Sequence, residues 1–402
     1  MRDFDWRPLG EICKFIDYRG KTPKKTKKGI PLITAKIIKN GFIEKFEEFI
    51  AEEDYESWMR RGIPEYGAVV FTTEAPLGEV AQIKSSEKVA LAQRVITMMG
   101  IDQLLDNNYL KYALKFPPVK SDIQGRASGT TVQGIKSSEL KKVKIPLPEY
   151  EVQVKIGEIL GSLDDKIELN RRMNETLEQM AMALYKHWFV DFEPFQDKTE
   201  DGIPIGWTSG YLGEISDIIM GQSPKSSYYN NVGEGLPFHQ GVTNFGDRIP
   251  KHEVYSSQIL KVAKRGDILV SVRAPVGRIN IADRDIVIGR GLSAFRHKSN
   301  KMSYLFYTLK NIFKEEDSIG SGTVFNSVSK NDLEKIPILI PPNEIIEQFE
   351  NQVKEIDRLI LTNFFEIRSL IETRDYLLPR LLSGEIEVRE AQEQVEEVLA
   401  NA

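Results

Sequence analysis

At 402 residues the chain is too long for one ordinary hydrophobic core, so we expect two or three domains. Hydrophobic residues at 41% and aromatic residues at 9% exclude an intrinsically disordered chain. The single cysteine, Cys13, excludes an intrachain disulfide, and the four histidines are too scattered to predict a metal site. No apolar run approaches the roughly 20 residues of a membrane span, and the first residues lack the apolar core of a signal peptide. These features predict a cytoplasmic protein without a membrane partner.

The net charge of −5 is an average over segments of opposite sign. Residues 1–150 carry 25 basic and 20 acidic side chains, and residues 201–343 carry 17 and 14. In contrast, residues 151–200 carry 6 and 11, and residues 344–402 carry 6 and 14. Two mildly basic blocks that alternate with two acidic ones would suit two separate contacts with nucleic acid. Mild basicity by itself would also fit many other surfaces.

Residues 1–150 are predicted to form a mixed α/β domain. Gly, Pro and short β-branched runs such as AVVF predict strands joined by turns, with shorter helices between them. The run RGKTPKKTKKG holds six basic residues and no acid. Lysine offers charge without base geometry, so this run is a candidate for phosphate contacts, or else ordinary solvated surface. The candidates are Lys21, Lys24, Lys25, Lys27 and Lys28.

Residues 151–190 are predicted to form a long helix, because they contain no proline and their apolar residues follow a seven-residue period. This stripe would pack either on its own domain or on a second helix. The predicted pairing positions are Ile156, Leu160, Leu163, Ile167, Asn170, Leu177 and Leu184.

Residues 191–343 are predicted to contain a second mixed α/β domain that repeats the first. LGEI at Leu9 recurs at Leu212, and GAVVFTTEAPLGEV from residue 67 parallels GDILVSVRAPVGRI from residue 266. The passage SGTTVQGIKSSELKK from Ser128 returns as SGTVFNSVSKNDLEK from Ser321. A period near 200 residues indicates a fused pair of domains rather than a solenoid of short repeats.

Candidate base-reading residues come from the same repeat, since planar side chains such as Arg and Gln make paired hydrogen bonds to base edges. They are Arg94 and Arg290 in equivalent stretches, Arg273 and Arg278 around the repeated Ala-Pro turn, and Gln222. Gln222 in GQSP fills the slot that Lys21 fills in GKTP, so this segment is expected to differ in function between the halves. The alternative is that these arginines form structural ion pairs within each domain.

Residues 344–384 are predicted to form a second long helix, followed by an acidic C-terminal tail over 385–402. A shift of 193 residues superposes the two heptad registers, which favours antiparallel pairing of the helices. Asn170 and Asn363 lie near the two midpoints, where buried polar residues would fix the register. The pairing positions here are Phe349, Val353, Ile356, Ile360, Asn363, Ile367, Leu370 and Leu377.

An antiparallel helix pair with a similar domain at each end would hold two surfaces at a fixed distance, related by approximate two-fold symmetry. Duplex DNA suits such a protein, because symmetric proteins read half-sites about 34 Å apart per helical turn. Two non-identical readers would imply an asymmetric, split target.

Four strings resemble the specificity subunit of type I restriction-modification systems: LYKHWFVDFEPF from Leu184, GIPIGW from Gly202, TVFNSVSKNDLEKIPILIPP from Thr323 and RDYLLPRLLSGEIEV from Arg374. The resemblance covers nearly the whole chain. It implies two target-recognition domains on a helical spacer, with no catalysis and no cofactor in this chain. It also implies three kinds of partner: double-stranded DNA, two modification subunits that methylate adenine with S-adenosylmethionine, and restriction subunits that use ATP and Mg for translocation and cleavage.

The sequence agrees with a non-catalytic chain. It has no Asn/Asp-Pro-Pro-Tyr/Phe string for adenine methylation, no G-x-x-x-x-G-K-[ST] phosphate loop and no glycine-rich cofactor loop. Two competing hypotheses stay open at this point. One is a coiled-coil adaptor that binds only proteins, and the other is an enzyme whose dispersed catalytic residues assemble only in the fold.

Overall fold

The computed structural model describes residues 4–400 apart from 19, 21, 130, 201, 315–317, 320–322 and 325–326. The chain divides into two compact units. Unit 1 comprises Met1–Arg171 and Phe364–Ala402, and unit 2 comprises Arg172–Asn363. Each unit combines sheets, short helices and segments of two long helices. The predicted mixed α/β class with two long helices is therefore confirmed.

The central sheet of unit 1 is antiparallel, with its strands in the order Cys13–Asp17, Val95–Gly100, Val69–Thr73 and Leu77–Gln82. The strand VVFTT is buried along its whole length, as β-branched and aromatic residues favour. Its side chains alternate between two cores. Val69 and Phe71 join the cluster that includes long-helix residues, and Val70 joins the cluster under a second sheet.

The second sheet of unit 1 has the strand order Ala90–Leu91, Ile30–Ile33, Phe49–Ile50 and Lys25–Thr26, and its first two strands are parallel. Two further strand pairs are Asp5–Pro8 with Lys144–Leu147 and Ile38–Lys39 with Phe42–Ile43. The short helices are Leu9–Ile12, Ala35–Ile37, Glu52–Trp58, Asn107–Ala113, Pro117–Gly125 and Ser137–Leu140. The segment predicted as an acidic tail contains a helix, Val388–Ala400, which buries Ala391 and Val395.

Unit 2 repeats this plan. Its central antiparallel sheet has the order Ser216–Met220, Leu292–His297, Ile268–Ser271 and Ile279–Ile281. A second sheet has the order Tyr229–Asn230, Tyr255–Ser256, Leu236–His239, Ile286–Ile288 and Val262–Ala263, with one parallel pair. In the central strand, Ile268 and Val270 face the core with the long helices, whereas Leu269 faces the second sheet. The two units therefore share core layout and strand order, apart from the additional edge strand Val262–Ala263 in unit 2.

The remaining elements of unit 2 are short. Strand pairs form between Thr199–Glu200 and Ile203–Pro204, Thr208–Tyr211 and Pro337–Ile340, and Ser318–Ile319 and Thr323–Val324. The short helices are Glu193–Lys198, Leu212–Ile215, Ser226–Tyr228, Met302–Ile312 and Lys330–Glu334.

The first long helix, Tyr150–Phe189, and the second long helix, Asn343–Leu382, each have 40 residues, about 60 Å at 1.5 Å per residue. They pair antiparallel in both units. In unit 1 the early part of the first meets the late part of the second, with Lys166 Nζ 2.9 Å from Glu366 Oε1. In unit 2 the order is reversed, and the Tyr185 and Phe349 rings lie 5.9 Å apart. No helix in the described part of the chain is long and apolar enough to cross a membrane.

None of the predicted pairing positions is fully exposed. Most are buried, and the half-buried ones are Leu177, Leu184, Ile356 and Ile367. In unit 1, Ile156, Leu160 and Leu163 share one hydrophobic cluster with Leu370 and Leu377. The same cluster contains Leu110 and Ile145 of the α/β domain, so the heptad stripe packs both on the second helix and on its own domain.

The asparagines differ from the predicted arrangement. Asn363 Nδ2 donates to Asn174 Oδ1 at 2.9 Å, and Asn174 Nδ2 donates to the Ile360 carbonyl at 3.2 Å. Asn170 is equally buried, but its Nδ2 finds no acceptor among the described residues. The shift of 193 residues explains the difference, because the position equivalent to Asn174 is Ile367, which offers no side-chain acceptor. The polar contact at the midpoint therefore comes from Asn363 and Asn174.

Replacing Asn170 with leucine is expected to stabilise the protein by about 1 kcal/mol, because a buried unsatisfied donor costs on the order of 1–3 kcal/mol. The matched variant Asn363→Leu should destabilise it by a similar amount, since it strands the Asn174 carbonyl oxygen. Thermal unfolding midpoints of the two variants, measured side by side, test this. A lower midpoint for Asn170→Leu would contradict it.

Candidate nucleic-acid interface

Three segments meet at one end of the central sheet in unit 2. They are the Gly-X-Ser/Thr-Pro segment (221–224), the Ala-Pro loop (273–277) and residues 289–291. Backbone hydrogen bonds join them: Gln222 N donates to the Ile288 carbonyl at 2.9 Å, and Val272 N donates to the Gly291 carbonyl at 2.9 Å. A fourth residue, Gln240, follows the strand Leu236–His239 and accepts from Gly291 N at 3.0 Å. We call this end of the unit its loop face.

Candidate base-reading residues lie exposed on this loop face. Gln222, Arg273 and Arg290 are exposed, as is Gln240. Arg273 forms an isolated β-bridge with Ser327, and Arg278 N donates to Ser271 Oγ at 2.9 Å. The structure thus brings four sequence-predicted residues, including Arg278, to one surface of unit 2.

Unit 1 has an equivalent loop face, built from Gly20 and residues 22–23, 74–78 and 92–94. Matching hydrogen bonds establish the equivalence: Ala92 N donates to the Ile33 carbonyl as Gly289 N donates to the His239 carbonyl. Thr73 N donates to the Arg94 carbonyl at 3.0 Å, as Val272 N does to Gly291. In this alignment of the two units, Gln93 is equivalent to Arg290, and Arg94 is equivalent to Gly291. The predicted equivalence of the Arg94 and Arg290 stretches is therefore offset by one residue.

The two Ala-Pro loops have the same construction and opposite charge. The Glu79 amide donates to Thr72 Oγ1 at 2.9 Å in unit 1, as the Arg278 amide donates to Ser271 Oγ in unit 2. Glu74 stands where unit 2 has Arg273, and its carboxylate pairs with Arg94 Nε at 3.0 Å. Arg94 is therefore neutralised by its own unit, the alternative that the sequence had left open.

The lysine-rich segment follows the loop face of unit 1. Lys24, Lys27 and Lys28 are exposed, and no carboxylate among the described residues pairs with them. Lys25 differs, because its Nζ lies 2.8 Å from Glu48 Oε2. Lys21 lies outside the described residues.

The described end of the repeated passage contacts the Ala-Pro loop in both units. Glu74 forms an isolated β-bridge with Gly134, as Arg273 does with Ser327. Directly after these residues, Ile135 N donates to the Thr73 carbonyl at 3.0 Å, and Val328 N donates to the Val272 carbonyl at 3.0 Å. In unit 1 this contact borders a cleft of about 360 Å³, lined by Ala75, Pro76, Leu77, Gln124, Thr131, Val132 and Gln133.

Buried carboxylates on the long helices hold each domain in place, a role that sequence reasoning missed. Asp164 accepts from Lys111 Nζ at 2.5 Å, Tyr112 Oη at 2.7 Å and Arg374 Nη1 at 2.8 Å. Burial alone would raise the pKa of Asp164, but the neighbouring cations outweigh it and hold the pKa well below its ordinary value. The only signal in the sequence was that Asp164 coincides with Asp357 in the repeat.

Asp357 plays the same part in unit 2, with a different cation. Its Oδ1 accepts from Tyr307 Oη at 2.9 Å and from the buried guanidinium of Arg248. Tyr307 corresponds to Tyr112, whereas Arg248 comes from the loop after Leu236–His239. The carboxylate–tyrosine contact is therefore common to both units, and the cation is not.

A family model described as the type I restriction modification DNA specificity domain matches residues 1–179 and again residues 204–375. The chain belongs to the type I restriction-modification specificity subunits. As a specificity subunit it is a non-catalytic DNA-recognition protein with two specificity domains in tandem. The resemblance drawn from its sequence is confirmed.

Known specificity subunits and a solved S subunit are similar to this chain over most of its length. A Methanocaldococcus jannaschii protein assigned as the MjaX type I specificity subunit is 32% identical over 406 residues, covering 96% of this chain and 94% of its own. The HindI specificity subunit of Haemophilus influenzae is 29% identical over 334 residues, covering 64% of this chain and 72% of its own. The S subunit structure from M. genitalium shares the fold, with a TM-score of 0.53 at 19% identity, covering 95% of this chain and 97% of the other.

Proposed function

We propose that the two target-recognition domains, residues 1–150 and 191–343, each read one half of an asymmetric bipartite site in double-stranded DNA. One observation carries this proposal: both units build the same loop face but furnish it with different side chains. Unit 1 presents Glu74, Gln93 and Arg94 where unit 2 presents Arg273, Arg290 and Gly291. A common loop backbone that carries different polar side chains is suited to the recognition of two different DNA sequences.

Contacts with DNA divide by chemistry. Lys24, Lys25, Lys27 and Lys28, together with Lys21, supply charge to the phosphates beside the first half-site. Arg273, Arg278 and Arg290 supply guanidinium groups on the second loop face, and Gln222 supplies an amide. Arg94 contributes less than these, because it already forms an ion pair with Glu74.

The long helices set the spacing between the two half-sites and dock the partner subunits. The paired heptad positions make the helices stiff, and their acidic outer surface keeps them off the phosphates. Two modification subunits bind there and methylate adenine with S-adenosylmethionine, while restriction subunits use ATP and Mg. This chain itself contributes recognition and holds no cofactor.

Methylome sequencing of a host that expresses this chain with its modification subunit tests the proposal. We expect a split motif, methylated on adenine in both strands, that is absent without the chain. Combining Arg273→Ala with Arg290→Ala should change only the half of the motif that unit 2 reads. A complex that assembles and methylates DNA with no split motif would contradict the proposal and favour a protein-only adaptor.

A further inference from the structure

In each unit one hydroxyl group of the Gly-X-Ser/Thr-Pro segment holds one glutamine amide. Ser223 Oγ donates to Gln240 Oε1 at 2.7 Å in unit 2. Thr22 Oγ1 donates to Gln93 Oε1 at 2.9 Å in unit 1. The two glutamines come from different strand ends, since Gln240 follows Leu236–His239 and Gln93 follows Ala90–Leu91. The same contact is therefore built twice from different backbone positions.

Ser223 makes two hydrogen bonds in unit 2. Arg290 N donates to Ser223 Oγ at 3.2 Å, and Ser223 Oγ donates its own proton to Gln240 Oε1. The carbonyl end of Gln240 is thus held toward Ser223, and its NH₂ group is left on the exposed side of the loop face.

Two glycines make room for Gln240. A Cβ atom on Gly289 would lie 2.7 Å from Gln240 Oε1, and one on Gly291 would lie 2.5 Å from the Gln240 carbonyl oxygen. Unit 1 has Ala92 and Arg94 at these positions and Thr34 in place of Gln240. In unit 1 the glutamine of this contact is at position 93.

We propose that Gln93 and Gln240 are the base-reading amides of the two halves, each reading an adenine, with Thr22 and Ser223 as the residues that position them. The inference rests on the proposed function and deepens it. An amide oxygen has two lone pairs, and the hydroxyl uses one of them. The other lone pair and the NH₂ group match the N6 and N7 edge of adenine in the major groove.

The different backbone positions have a consequence for specificity. The same chemical group enters the two half-sites from different points of a common frame. The adenines that the two units read therefore occupy different places within their half-sites, which makes the whole site asymmetric. Neither glutamine was among the candidates from sequence, because nothing local distinguishes them from solvated surface residues.

The test uses the purified complex of this chain with its modification subunits, S-adenosylmethionine, and duplexes that carry each of the four bases at each motif position. Gln240→Ala and Ser223→Ala should both reduce the preference for adenine at the same position of the second half-site, by on the order of tenfold to a hundredfold. Gln93→Ala and Thr22→Ala should do so in the first half. The conservative variants Ser223→Thr and Thr22→Ser should retain discrimination.

Ser226→Ala, an exposed serine in the neighbouring helix, is the matched control and should leave every position unchanged. Unfolding midpoints of all variants identify any that fold poorly. The inference is overturned if well-folded alanine variants keep full discrimination, or if the relaxed base is not adenine. The proposed function fails in a distinguishable way: the wild-type complex then shows no split site, or a change in one unit alters both halves.

Discussion

Replacing Asp164 with alanine is expected to lower the free energy of unfolding of unit 1 by about 3–5 kcal/mol, because breaking a buried ion pair leaves an uncompensated charge. Lys111 is only 3% exposed, and Arg374 is 9% exposed, so neither cation can turn to water. Hydrogen exchange of the full-length chain measures the effect locally. Protection should fall over Asn107–Ala113 and the adjoining turns of both long helices, with less change in unit 2.

The neighbouring residue Asp165 is the matched control. It is exposed and pairs with Lys84 at the surface, so Asp165→Ala should cost at most about 1 kcal/mol. Adding Lys111→Met to Asp164→Ala should restore part of the lost stability, since the second change removes one stranded cation. Equal effects of Asp164→Ala and Asp165→Ala would contradict a structural role for the buried cluster.

Mild acid is expected to destabilise unit 2 before unit 1. All four histidines, at positions 187, 239, 252 and 297, lie within Arg172–Asn363. Burial, helped by the charge of His252, lowers the pKa of His239 from 6.5 to about 4. Burial and then Lys301 lower the pKa of His297 from 6.5 to about 4. Both imidazoles are therefore neutral in the folded protein near pH 5.

The sign follows from proton uptake. The unfolded chain binds protons near pH 6.5, and the folded chain does so only near pH 4, so stability is full above 6.5 and is lost as the pH falls through this window. Each histidine should cost on the order of 1–2 kcal/mol at pH 5. The depressed pKa of Asp164 acts at lower pH, because its unfolded value is near 3.8. Glu350 opposes the loss, since burial raises its pKa.

Hydrogen exchange between pH 6.5 and 5, corrected for the intrinsic rate, measures the two units separately. His239→Gln retains a donor for His252 Nδ1, which His239 Nε2 contacts at 3.0 Å. His297→Asn retains an acceptor for Ser299 N, which lies 3.0 Å from His297 Nδ1. Each variant should reduce the pH dependence of unit 2 by about half. A pH response equal in the two units would contradict the assignment.

The long helices and the domain class were predictable because their signals are local or repeated. Heptad spacing can be recognised from neighbouring helical turns alone. The duplication strengthens this signal, because a pattern that is weak in one copy recurs in the other. Charge alone predicts an acidic tail and does not predict the helix Val388–Ala400, although Ala391 and Val395 have helical spacing. Charge and periodicity are separate signals, and the second decides whether an acidic segment is ordered.

Contacts between distant residues were not predictable. Asp164 and Arg374 are 210 positions apart, and the sequence around either residue does not indicate that the two form an ion pair. Asn363 finds Asn174 rather than the symmetric Asn170, because the register of the helices, and not the midpoint of each sequence, determines the partner. The role proposed for Gln93 and Gln240 depends on hydroxyl groups of other loops, which their local sequences do not indicate.

The division of the chain also bears on the order in which the protein is completed during synthesis. Unit 2 is one continuous stretch and is entirely synthesised once Asn363 has been added. Unit 1 contains residues that precede unit 2 in the chain, but it also needs Phe364–Ala402, which follow unit 2. Until then Asp164 lacks the guanidinium of Arg374, and the apolar residues that face Leu370 and Leu377 lack their cover. Synthesis of unit 1 therefore starts before that of unit 2, but unit 1 can be completed only after unit 2 has been synthesised.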